Sequence, residues 1–187
     1  GQPIFLVVAT EEKLARAAAL LAKVHYEEFK PTLSIKEAQS NNYRVRPPHV
    51  MQRGDVSILA TSDHQISGEI SIGGQEHLYL EGQASLAIPT EEGGMHLLCS
   101  TQHPTEVQTL VSEVLGLPFH EVVVEVRRMG GAFGGKETQA APWACLASLA
   151  AYKLSKPVKL RLPRVTDMTV TGKRHPFINQ YKVGFSR

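Results

Sequence analysis

Apolar and polar positions divide the chain into short periodic segments punctuated by proline and glycine. Ile4 to Ala9 is a continuous apolar run, and Glu11 to Lys23 places Leu14, Ala17, Ala18 and Leu21 at helical spacing. This predicts a strand followed by a helix. Val24 to Phe29 predicts a second strand, ended by Pro31, after which Ser34 can cap a short helix through Ile35, Ala38 and Gln39. Ser40 to Asp55 is polar, carries Pro47-Pro48 and Gly54, and reads as a linker or an ordered crossing segment.

His64 to Ile72 alternates, with Ile66, Ile70 and Ile72 opposite Ser67, Glu69 and Ser71, as in a half-buried strand. Gly73-Gly74 breaks it. Ala84 to Ile88 and Met95 to Ser100 flank a Pro89 to Gly94 turn and predict a hairpin. Pro104 to Leu115 sets Val107, Leu110, Val111 and Val114 on one helical stripe that Gly116 ends. Glu121 to Arg128 predicts a strand, Pro142 to Leu154 an Ala-rich helix, and Pro157 to Leu162 another strand. The sum is an α+β chain with no internal repeat and no low-complexity tract.

Composition narrows the partners. The chain has 187 residues, 42% of them hydrophobic, enough for a core in one domain or in pieces of two. Twenty Lys and Arg against 18 Asp and Glu leave a net charge of +2, which predicts no nucleic acid and no anionic membrane as partner. Cys99 and Cys145 are far apart, which argues for buried free thiols in a reducing compartment rather than a zinc ribbon, an iron-sulfur cluster or a disulfide framework. With no segment of membrane-spanning length and no basic leader, a cytoplasmic location is expected. The eight histidines form no His-x-x-x-His pair, so a metal here is not expected on these side chains.

The stretch Arg128 to Glu137 (RMGGAFGGKE) fits the start of a Walker phosphate loop from Gly130 on, but Glu137 stands where magnesium needs a Ser or Thr hydroxyl. Thr138 comes one residue late. The preceding strand also alternates, Val122, Val124 and Val126 against Val123, Glu125 and Arg127, unlike a strand deep in a parallel sheet. A nucleotide phosphate loop is therefore disfavoured. Two readings remain from the residues alone: glycines that bring backbone amides close to an anion or oxo group ahead of a helix, or a tight turn with Phe133 in the core and Glu137 as a first-turn charge.

Three further stretches, Gly73 to Glu81 (GGQEHLYLE), Ser100 to Gln108 (STQHPTEVQ) and Thr171 to Phe177 (TGKRHPF), join this loop in a resemblance. Together, in this order, they resemble the molybdenum-binding portion of the xanthine dehydrogenase and aldehyde oxidase family. Tyr26-Glu27 and Ser34 to Ala38 look like the end of its hammerhead-type α/β domain. The resemblance implies that residues 1–40 are the C-terminal part of that domain, 41–63 a linker, and 64–187 the N-terminal part of the molybdopterin-binding domain, with mixed sheets. It implies a molybdenum-molybdopterin cofactor whose dithiolene sulfur replaces protein thiolates. Gln75 would hydrogen-bond an oxygen ligand of the molybdenum, and Gly131, Ala132, Phe133 and Gly134 would line the cofactor. The Phe133 and Gly134 amides would face the metal's ligands, so Gln75 and Phe133 shape the molybdenum environment without being direct side-chain ligands. Glu137 matches the acid with which purine-oxidising members bind their substrate, where aldehyde oxidases usually carry an apolar residue. The implied reaction oxidises hypoxanthine and xanthine to urate with oxygen from water, and passes electrons through 2Fe-2S clusters and FAD to NAD.

The family's molybdenum subunit is several times longer, and its general-base glutamate would lie beyond Phe185. The chain is therefore expected to be a fragment, inactive alone, with iron-sulfur and FAD centres on partner subunits or domains of a dimeric assembly. Competing readings are an aldehyde or other N-heterocycle oxidase of the same family and a non-catalytic interaction domain. Glu76 and Glu81, flanking His77, read as solvated acids of a strand or turn. Arg164, Asp167 and Arg174-His175 read as structural, and Arg127-Arg128 as a solvated strand end or a cofactor-phosphate contact.

Overall fold

An extended run becomes a strand only where a neighbour takes its hydrogen bonds, and an amphipathic run stays helical where its stripe finds cover. The computed structural model describes residues 2–186. In chain order its elements are α1 (Glu12–Ala19), α2 (Ile35–Ser40), β1 (His64–Ile72), β2 (Ala84–Pro89), β3 (Met95–Cys99), α3 (Pro104–Leu115), β4 (Val122–Glu125), α4 (Ala141–Leu154), β5 (Val158–Arg161), α5 (Arg164–Val170) and β6 (Phe177–Phe185). They form two units. One joins the chain up to Val24 with Glu76–Lys173; the other joins His25–Gln75 with the segment from Arg174 on.

The first unit holds a four-stranded sheet of order β4-β3-β2-β5. β2 and β3 form the expected hairpin, closed by the Thr90 amide on the Gly94 carbonyl at 2.9 Å, with Gly93 at φ +91°. β5 pairs antiparallel with β2, and β4 pairs parallel with β3, so the sheet is mixed as the sequence predicts. Parallel pairing needs a crossover, which α3 supplies. Pro104 opens that helix and Gly116, at φ +67°, closes it. One face of the sheet buries Ala87, Met95 and Leu97 against Val107 and Val111 of α3 and Ala144, Ala147 and Ala151 of α4. The alanines keep α4 close to the sheet.

Several expectations change. Ile4 to Ala9 and Val24 to Phe29 are not strands, because no described strand accepts their hydrogen bonds. The first helix ends at Ala19, and the Glu121 to Arg128 strand shrinks to four residues at an edge of the sheet. Ser34 does cap α2, its Oγ accepting from the Glu37 amide at 3.1 Å. The crossing segment ends in a 3-10 turn, Val56–Thr61, started by the Ser57 amide on Asp55 Oδ1 at 2.8 Å.

In the second unit β1 pairs antiparallel with β6 along nine residues, from His64 opposite Phe185 to Ile72 opposite Phe177. The strand type follows the alternation, but the half-burial does not: Ile66 and Ile70 are 54% and 52% exposed, since no described layer covers that face. α5 and β6 are not legible in the sequence, the first being only seven residues long and the second a run of mixed apolar and polar residues.

Leu97 lies at the centre of the buried face with no solvent exposure. Leu97→Ala is expected to destabilise the folded protein by about 2–5 kcal/mol through lost transfer energy and the cavity left behind. A urea midpoint unchanged from the wild type would contradict this placement of the core.

Candidate functional site

Sheet order decides what gathers around the glycine loop. β3 and β4 run parallel and β2 runs antiparallel to β3, so the ends of β3 and β4 and the start of β2 lie at one end of the sheet. Residues 76–83 lead into β2, Ser100 to His103 follow β3, and Arg127 to Ala140 follow β4. Three of the four stretches that carry the family resemblance thus meet at one place in the first unit.

Two glycines in the loop are needed for close approach. A Cβ on Gly130 would stand 2.7 Å from Glu81 Cβ, and one on Gly135 would stand 2.6 Å from the Tyr79 ring and 2.9 Å from the His77 ring. The turn has three residues at positive φ, Gly131 at +93°, Phe133 at +54° and Gly134 at +87°, with only Ala132 between them at negative φ. A positive φ at a phenylalanine is a strained conformation that the surroundings must enforce. Among the described residues, the amides of Gly131, Ala132 and Phe133 donate to no protein group. The Gly134 amide, by contrast, donates to Gln102 Oε1 at 3.1 Å, as does the Lys136 amide at 3.2 Å.

The enforcing contacts converge on Lys136, whose side chain has no exposure to solvent. Its ammonium donates to Glu81 Oε2 at 3.0 Å and Ser100 Oγ at 2.8 Å, and sits 4.8 Å from the centre of the Tyr79 ring. The Lys136 carbonyl accepts from the Gln102 amide at 2.9 Å and from Thr101 Oγ1 at 3.0 Å. Glu81 Oε2 also accepts from Ser100 Oγ at 2.6 Å and the Gly130 amide at 3.0 Å, and the Glu81 amide donates back to the Gly130 carbonyl at 3.1 Å. Partial burial raises the Glu81 pKa, but the bonds from Ser100, Gly130 and Lys136 outweigh it and lower the carboxyl to about 2.

A second buried acid backs this cluster. Asp167 takes the Tyr79 hydroxyl on Oδ1 at 2.5 Å and the Gln83 amide on Oδ2 at 2.6 Å, while the Gln83 side chain donates to Tyr79 Oη at 3.1 Å and to the Gly135 carbonyl at 3.0 Å. Arg164 donates to the Leu80 carbonyl. Asp167 and Arg164 are structural, as the sequence predicts.

Other readings are corrected. Glu81 is not a solvated acid but the binding partner of the loop, and Glu76 is paired with Lys173 at 3.0 Å. Phe133 is not core: the residue is 75% exposed. Glu137 is exposed and precedes α4 by four residues, so it is not a first-turn charge. Arg127 and Arg128 keep the reading of a solvated strand end: both are exposed just past β4, with Arg127 paired at 2.7 Å to Glu125. Lys136, Ser100 and Gln102 carried no chemistry in the sequence reading; the one available signal was their place inside motifs already singled out.

Gln75 belongs to the second unit. Its amide and carbonyl exchange hydrogen bonds with Arg174 at 3.1 and 3.0 Å, so the TGKRHPF stretch holds its backbone while its exposed side chain takes no described protein partner. Cys99 and Cys145 are free, and burial raises both thiol pKa values, that of Cys145 to about 11. Among the described residues no helix is long and apolar enough to cross a membrane.

Residues 35–187 match the molybdopterin cofactor-binding domain, and the chain belongs to that family. Over its whole length it is 43% identical to a xanthine dehydrogenase of Drosophila pseudoobscura pseudoobscura and 46% identical to xanthine dehydrogenase 1 of Arabidopsis thaliana, and it spans 14% of the length of each. Its fold matches the aldehyde oxidoreductase of Desulfovibrio gigas with a TM-score of 0.81 at 25% identity, covering 94% of this chain and 20% of that one. It also matches quinoline 2-oxidoreductase of Pseudomonas putida 86 with a TM-score of 0.80 at 24% identity, covering 95% of this chain and 24% of that one.

The Glu81 carboxyl is held below its ordinary 4.5 in the folded state, so its contribution to stability is present above that value and lost as pH falls toward about 2. Acid titration of unfolding should therefore show wild-type stability declining over that window and Glu81→Gln declining less; parallel curves would contradict the bonding described. Gly135→Ala should cost about 1–3 kcal/mol in a denaturant melt, because its methyl meets two ring systems at once.

Proposed function

We propose that this chain is part of the molybdenum-cofactor site of a purine-oxidising enzyme, which as a whole converts hypoxanthine and xanthine to urate with water as the oxygen source. The observation that carries this reading is Glu137, an exposed acid without an ion pair among the described residues, standing directly after a buried anchor. Identity of 42–46% to xanthine dehydrogenases supports purines over other substrates of the family. Residues 1–40 would be the end of a hammerhead-type domain, 41–63 a linker and 64–187 the start of the molybdopterin-binding domain. The complete enzyme would be a cytoplasmic dimer with 2Fe-2S and FAD centres elsewhere and NAD as acceptor.

The residues present fit a molybdenum-molybdopterin group. Three consecutive amides without partners among the described residues, in a turn whose φ changes sign, are the kind of backbone N–H cluster suited to an oxo or anionic ligand. When bound, the cofactor supplies the redox centre for the hydroxylation. Gly131, Ala132 and Phe133 would offer it their amides, and Gly134 would do so by giving up Gln102. Gln75 would meet its ligand sphere with the free side-chain amide. Glu137 would orient the purine, its carboxyl pairing with ring N–H and N groups, and Phe133 would present its exposed ring beside the same loop.

A charge-assisted hydrogen bond contributes about 1.5–3 kcal/mol. In the full-length enzyme, Glu137→Val should therefore lower kcat/KM for xanthine by about 10- to 150-fold while aldehyde oxidation persists. Unchanged xanthine turnover would remove the reason for preferring purines. The isolated chain should show no turnover and no stoichiometric molybdenum by elemental analysis.

A further inference from the structure

Glu137 takes its position from the residue before it, and that residue is held through every polar group it has. The Lys136 amide donates to Gln102, its carbonyl accepts from Gln102 and Thr101, and its ammonium is enclosed by Glu81, Ser100 and Tyr79. The chain then reverses from a fully buried lysine to an exposed glutamate in one residue. Glu81 also holds the far end of the loop, through reciprocal main-chain and side-chain bonds to Gly130. A loop whose first and last residues close on one carboxylate oxygen retains little conformational freedom.

Charge placement points the same way. Two oppositely charged side chains adjacent in sequence would ordinarily compete for each other or for solvent. Here Lys136 is taken by Glu81, which leaves the Glu137 carboxylate without a described cation.

We propose that Lys136, with Glu81 and Ser100, is a positioning residue for substrate binding: the buried pair sets where the Glu137 carboxyl stands and keeps the neighbouring ammonium from neutralising it. This rests on the reading of Glu137 as the purine-binding acid.

The test uses the full-length enzyme and Lys136→Met, which is unbranched and uncharged. Steady-state kinetics with xanthine and with a small aldehyde are paired with hydrogen exchange of the peptide spanning 130–137, recorded without substrate. The expected result is a rise in KM for xanthine on the order of tenfold, the weight of one misplaced hydrogen bond, with a smaller change in kcat and in aldehyde oxidation. Exchange in the loop should be faster than in the wild type. Combined with Glu137→Val, the substitution should add nothing to the loss on xanthine, since the positioned group is already gone. Wild-type loop exchange in Lys136→Met overturns the brace. Full xanthine activity in Glu137→Val overturns the purine reading, and the substrate half of this proposal with it. If Lys136→Met does not fold because Glu81 is left without its counter-ion, Lys136→Met/Glu81→Gln leaves no unpaired charge and is scored by the same measurements.

Discussion

An ammonium group with no contact to water has to be neutralised from inside the protein, and the surroundings of Lys136 follow from that requirement. Glu81 supplies the counter-charge, Ser100 a second acceptor and Tyr79 an aromatic face. Glu81 and Tyr79 come from the segment before β2, Ser100 from the one after β3 and Lys136 from the one after β4, and they meet because the mixed sheet brings the start of β2 and the ends of β3 and β4 to one end. The pair therefore joins three connections that would otherwise be independent loops. Its worth lies more in specifying geometry than in net stability, since a buried ion pair recovers little more than its own desolvation.

The same logic extends outward through neutral groups. Tyr79 faces Lys136 with its ring and Asp167 with its hydroxyl, so the orientation of the ring is set from both sides. Gln83 links Asp167 back to the Gly135 carbonyl. The outcome is a turn with positive φ at Phe133, a conformation that phenylalanine adopts only when neighbours impose it. The strain coincides with an exposed phenylalanine and with three consecutive amides that have no partner among the described residues.

Legibility in the sequence tracked the kind of force that holds each element. The β2-β3 hairpin, α3 and α4 follow from period and turn residues, because each buries a face within the same unit. Ile4 to Ala9 reads as a strand by composition and is not one, since strand formation depends on a partner that local pattern does not reveal. β1 shows the intermediate case: its alternation predicts the pairing, while the exposure of Ile66 and Ile70 depends on what lies above the sheet.

For the candidate site the division is similar. The sequence by itself determined the family, through four short stretches in a fixed order, and that resemblance singled out Gln75, Phe133 and Glu137. It could not assign Glu81 and Lys136 to each other, because they are separated by many residues and each alone looks like an ordinary solvated charge. Only the tertiary structure decided that Lys136 is buried, that Glu81 is its partner and that Gly134 shares Gln102 with Lys136. The physical reason is that residue type and spacing report local preference, whereas the partner of a buried charge is chosen by the sheet topology that surrounds it.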